Sequence, residues 1–184
     1  MTRRPMLPRW PRLLRPDRSY TLVELMVTVV VIGILSGVVI DIGWREWRRE
    51  QVNSVVLELA GWLQKVRRGA LKGHSCVVTI QTGLRASGAQ LAQVDNCVSV
   101  EPLRLSGLSG NRGFDVSVPE GTVNSFTFTP AGTLSPPPSP QVPIVITVAL
   151  EGHSDPQRCV RIDGLLAAID VGIPGAGGCV AGRI

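Results

Sequence analysis

The sequence predicts an α+β chain, a long N-terminal α-helix followed by a body of antiparallel β-strands. Three observations predict it. An apolar run of twenty-one residues, Tyr20–Ile40, carries a single charge. Beyond it, apolar residues recur every three or four positions as far as Ala70, and the period then changes to two. Four cysteines, Cys76, Cys97, Cys159 and Cys179, all fall in the later part. At 184 residues and 44% hydrophobic content, the chain has the size of one compact body with an appendage.

The formal net charge of +5 is concentrated at one end. Residues 1 to 19 hold six arginines, Arg3, Arg4, Arg9, Arg12, Arg15 and Arg18, against Asp17, which accounts for all of it. The remaining thirteen basic and thirteen acidic residues cancel. Without the first nineteen residues, the chain has no bulk electrostatic reason to bind polyanions, and nucleic-acid contact needs a local patch.

The Tyr20–Ile40 run is long enough to cross a bilayer, because a helix of this length rises ~30 Å, the thickness of the hydrocarbon core. The arginines before it place the N-terminus in the cytoplasm and the body outside. An ordinary secretory signal has a shorter apolar region without an acid, ending at a small-residue cleavage site. Here Glu24 sits near the start of the run. A carboxylate at membrane depth costs at least ~2.5 to 3.5 kcal/mol, so it needs a compensating partner. A free α-amino group, created by a cut just before Tyr20, is the nearest one.

After the run, Val52, Val55, Leu59, Trp62 or Leu63, Val66 and Ala70 form an apolar stripe. Arg48, Arg49, Glu50, Glu58, Lys65 and Arg67 occupy other faces. A helix from Tyr20 to about Lys72 would be ~80 Å long. Gly33, Gly37 and Gly43 permit bending or close helix contact, and Gly69 and Gly73 bracket the expected helix end.

Strands are expected at Cys76–Ile80, Cys97–Val100, Val123–Thr129, Val142–Leu150 and Cys159–Ile162, with Thr82–Gly88 as a turn. Residues 135–140, Ser-Pro-Pro-Pro-Ser-Pro, read as a surface loop. The glycine-rich stretch Gly172–Gly178 lies too near the C-terminus to precede the helix a nucleotide-binding loop requires, and reads as a flexible loop leading to Cys179. No internal repeat is detectable.

The even cysteine count, without a Cys-x-x-Cys pair or clustering with His74 or His153, points to disulfides in an oxidising compartment rather than a metal site. Four free buried thiols in a cytosolic protein are the alternative. Three pairings are possible and the sequence alone does not choose among them. Cys76 with Cys97 and Cys159 with Cys179 are favoured, since each pair brackets about twenty residues that could turn back on themselves.

The segment Arg18-Ser19-Tyr20-Thr21-Leu22-Val23-Glu24-Leu25-Met26-Val27, followed by the apolar run, resembles the class III signal of type IV pilins and type II secretion pseudopilins. The resemblance implies that a prepilin peptidase cuts on the cytoplasmic side between Ser19 and Tyr20 and methylates the new N-terminus. It also implies that Glu24 meets the amine of a neighbouring subunit. Serine and tyrosine stand where that family usually has glycine and phenylalanine. Phe126–Thr133 and Arg158–Gly164 are similar to the GspH/FimT group of minor pilins and pseudopilins, which includes type II secretion protein H. Some FimT-type pilins bind DNA through a Gly-Arg segment after the last strand. Here Gly164-Leu165-Leu166-Ala167 lacks the arginine, and Gly182-Arg183-Ile184 is a partial substitute, leaving Arg183 as a weak DNA-binding candidate.

Together these readings divide the chain into a basic leader (1–19), a transmembrane and assembly helix (20–50) and an exported β-rich domain that includes the second half of the helix (51–184). The expected function is a structural subunit of a type IV pilus or a type II secretion pseudopilus, with DNA capture for natural transformation as the alternative. Its expected location is the inner membrane as a single-pass precursor, then a periplasmic pseudopilus or an extracellular pilus. Its implied partners are other pilin subunits, the prepilin peptidase, the assembly platform and, before assembly, membrane lipid; DNA is possible but not favoured. No catalytic motif, metal cluster or cofactor site is legible, and the two histidines are isolated.

Overall fold

The computed structural model describes residues 21–105, 113–119, 123–135, 143–175 and 178–182, without the side chains of 38–42. Its one long helix, α1, spans Leu22–Ala70. Among the described residues eleven strands follow: β1 (Cys76–Ile80), β2 (Gly83–Arg85), β3 (Gln90–Asp95), β4 (Leu103–Arg104), β5 (Phe114–Ser117), β6 (Ser125–Phe128), β7 (Leu134–Ser135), β8 (Ile144–Leu150), β9 (Gln157–Asp163), β10 (Ala168–Gly175) and β11 (Gly178–Ala181). The chain divides into two compact units, Met1–Ile42 and Gly43–Ile184.

In the first unit the described residues are the start of α1. Apolar side chains from Leu22 to Leu35 are exposed along the helix. Among the described residues, no helix is long and apolar enough to cross a membrane. The twenty-one-residue run of the sequence includes Tyr20 and the side chains of 38–40, which lie outside the described set.

The second unit is organised by the rest of α1. Val52, Val55, Val56, Leu59, Trp62, Leu63, Val66 and Ala70 are all buried in one core cluster, so both residues at the ambiguous Trp62/Leu63 step face inward. The indole Nε1–H of Trp62 donates to the Glu101 carbonyl at 2.8 Å, which satisfies the polar end of a buried ring. The helix stops through glycine chemistry: Gly73 has φ 101, and the amides of Gly73 and His74 return to the Ala70 carbonyl at 3.0 and 3.3 Å.

Two antiparallel sheets supply the rest of the core. One has the order β4-β3-β1-β6-β7 and the other β11-β10-β9-β8-β5-β2. Alternation sends Cys76, Val78 and Ile80 of β1 and Phe126 and Phe128 of β6 inward. The two rings meet edge to face at 5.7 Å. Strand β8 is buried on both faces: Ile144, Ile146, Val148 and Leu150 join the main core, while Val145 packs with Cys159 and Cys179 in a second small cluster.

Three expectations are corrected here. Cys97–Val100 is a turn, not a strand, and β1 pairs instead with Gln90–Asp95. The alternating valines suggested a strand, but Asn96 and Ser99 both have φ 62, which breaks any extended run. The expected turn Thr82–Gly88 contains β2, which pairs with β5 in the other sheet. The described part of the glycine-rich tail is strand: Gly172–Gly175 belongs to β10 and pairs with β11 in register, Gly172 opposite Ala181 and Gly175 opposite Gly178, while 176–177 fall outside the described residues. Most of the proline-rich stretch, 136–140, falls outside the described residues.

Candidate functional site

Of the residues assigned to processing and assembly, Glu24 lies in the first turn of α1. Thr21 precedes the first helical residue, and its Oγ1 accepts the Glu24 amide N–H at 3.2 Å. This is a helix N-cap, and Thr21-x-x-Glu24 has the residue types of a capping box. The sequence reading gave Thr21 no role, although the spacing was legible. Glu24 is exposed in the first turn, where the positive end of the helix dipole favours an anion. Among the described residues, its carboxylate has no ion pair. Ser19 and Tyr20, and the leader before them, lie outside the described residues.

The four cysteines form two disulfides, Cys76–Cys97 and Cys159–Cys179. The first ties the β1 end next to the helix stop to the turn after β3. Gly69 makes room for that turn: a Cβ there would lie 3.0 Å from Cys97 Sγ and 3.3 Å from Val100 Cγ2. The second ties β9 to β11 across β10.

At the β9–β10 hairpin, Gly164–Ala167 makes the turn, closed by a bond from the Ala167 amide to the Gly164 carbonyl at 3.1 Å. Leu165 and Leu166 are exposed there, so the turn presents apolar side chains. Arg183 lies outside the described residues. His74 lies just after the helix stop, and His153 Nδ1 is 2.9 Å from the Glu151 carbonyl oxygen. Among the described residues there is no cluster of groups suited to hold a metal ion.

A capped apolar helix start bearing an acid in its first turn is thus continued by an amphipathic half packed on antiparallel sheets. Residues 14–40 match the family described as the prokaryotic N-terminal methylation motif, and the chain carries that motif. No curated protein matches. Two crystal structures of the type IV minor pilin FimU from Pseudomonas aeruginosa (strain PAO1) are similar in structure. One is 18% identical, with a TM-score of 0.46 over 72% of this chain and 94% of that one. The other is 21% identical, with a TM-score of 0.44 over 65% and 90%.

Proposed function

We propose that this chain is a minor pilin or pseudopilin of the GspH/FimT type, cut between Ser19 and Tyr20, N-methylated and built into a type IV pilus or a type II secretion pseudopilus. On this reading residues 1–19 are the leader, 20–50 the transmembrane and assembly helix, and 51–184 the exported domain. The observation that carries it is Glu24 in the first turn of an all-round apolar helix, within the methylation-motif match at residues 14–40. An acid there is costly in lipid unless a countercharge reaches it, and a neighbour's Tyr20 amine supplies one as helices leave the bilayer for a filament core. The partners follow: the prepilin peptidase, the assembly platform, membrane lipid and then other subunits. DNA capture is less favoured, because the β9–β10 turn presents leucines.

Mass spectrometry of membrane-extracted and filament-bound protein tests the processing step. Tyr20 as the first residue, carrying a methyl group, is the expected result. An intact Met1 terminus in assembled filaments, or a cut beyond Ile40, refutes it.

A further inference from the structure

Arg45, Arg48 and Arg49 on α1, together with Asp155 and Pro156 from the segment before β9, line a cavity of about 260 Å³. The spacing of three and four places the arginines on one side of the helix. Arg45 has a further interaction of its own, so Arg48 and Arg49 carry most of the site. Arg48 spends one of its five N–H donors on the Trp44 carbonyl at 3.4 Å. Arg49 lies 3.7 Å from Glu46 in an exposed i,i+3 pair, the weakest kind of ion pair. Asp155 is the one acid among the residues lining the cavity.

Beside these arginines stand two exposed tryptophans, Trp44 at 58% and Trp47 at 37% accessibility, edge to face with ring centroids 6.0 Å apart. A merely solvated charged helix face does not call for them. They follow the apolar run within a few residues, at the position along the chain where tryptophan anchors a helix at the lipid–water boundary. We infer that the Arg48/Arg49 cavity seats the phosphate group of an anionic phospholipid headgroup on the exported side of the membrane, with Trp44 and Trp47 at headgroup depth. This rests on the proposal that residues 20–40 enter the bilayer.

The chemistry fits the site. A guanidinium presents a planar fork of donors to phosphate oxygens and is less strongly hydrated than an ammonium, so arginine is suited to a half-dry interfacial seat. Charge balance gives the site its importance: outside the leader, acidic and basic residues cancel, so attraction to an anionic surface has to be local. Three arginines on the exported flank also run against the usual distribution of positive charge around a span.

The test uses the full chain in phosphatidylcholine vesicles containing a minor fraction of phosphatidylglycerol. Selectivity is read as the share of spin-labelled phosphatidylglycerol, against spin-labelled phosphatidylcholine, that becomes motionally restricted. Arg48→Gln/Arg49→Gln should lower the preference for phosphatidylglycerol, by up to about fivefold per charge removed, while the chain still floats with the vesicles. Lys65→Gln/Arg68→Gln, with the same change in net charge, should keep it. An unchanged preference in the Arg48/Arg49 variant, or an equal loss in the Lys65/Arg68 variant, overturns the inference. Abolition of the wild-type preference by millimolar inorganic phosphate would make the seat one for a free anion. Binding of duplex DNA at physiological salt that is lost with Arg48 and Arg49 would make it a nucleic-acid contact; either result overturns the lipid assignment. Failure of the wild-type chain to float with pure phosphatidylcholine vesicles would instead defeat the membrane reading on which the inference rests.

Discussion

The backbone of Gly172 runs so close to that of Val180 that a Cβ on Gly172 would overlap the Val180 carbonyl oxygen. The obstacle is main chain and cannot swing aside as a side chain could. Gly172→Ala should therefore separate β10 from β11 and destabilise the folded chain by about 1–3 kcal/mol or more. Urea unfolding followed by circular dichroism measures the loss, and peptide mapping should show less Cys159–Cys179 disulfide. A wild-type midpoint would mean that the two strands do not pair as closely as described.

The two disulfides close loops of similar length, with sequence separations of 21 and 20 residues. In the chain-entropy model, each is worth ~3 kcal/mol. Cys76→Ser/Cys97→Ser and Cys159→Ser/Cys179→Ser should each lower stability by about that amount. Non-reducing peptide mapping of the wild-type chain should recover only the two pairs named. A Cys76–Cys159 peptide would contradict the pairing.

Trp62 is packed in the core, and its indole N–H is bonded to the Glu101 carbonyl. Trp62→Phe keeps an aromatic ring but removes the donor, so a carbonyl in a part-buried site loses its partner, at a cost of about 1–3 kcal/mol. Thermal unfolding checks it. A loss under half a kilocalorie per mole would indicate that water replaces the indole.

The legible parts of this fold are those where one period decides the structure. The stripe from Val52 to Ala70 could be read because each turn of α1 contributes apolar residues to one core, and β1, β8 and β9 because they are long enough to alternate or to stay apolar. Strands β2, β4 and β7, two or three residues each, leave no pattern of their own; pairing with neighbours creates them. Gly172 misleads for a related reason, since a glycine selected for close strand approach looks like a glycine in a loop. At the N-terminus, Glu24 was visible as an acid out of place, and Thr21 as its capping partner was visible but not read. The arginine cavity was hidden, because Asp155 and Pro156 reach Arg48 and Arg49 only through the fold.

Glu24 has two possible roles, and the Thr21 cap makes them separable. As the third helical residue, its side chain suits a capping box, where glutamine serves as well as glutamate. As the countercharge for a neighbour's amine it must be ionised. Glu24→Gln therefore keeps the helix start and removes only the charge, leaving an amine in an apolar environment at a cost of several kcal/mol. Thr21→Ala does the reverse: it removes the Oγ1 acceptor of the Glu24 amide, costing about 1 kcal/mol of helix stability, and leaves the carboxylate in place. If pairing drives assembly, Glu24→Gln should be processed and stay in the membrane yet be absent from sheared filaments, whereas Thr21→Ala should enter them at near wild-type level. Leader cleavage, followed in parallel by gel mobility, separates failed assembly from failed processing. Normal incorporation of processed Glu24→Gln would show that assembly does not need the charge, and equal exclusion of both variants would show that assembly needs the capped helix start as much as the carboxylate.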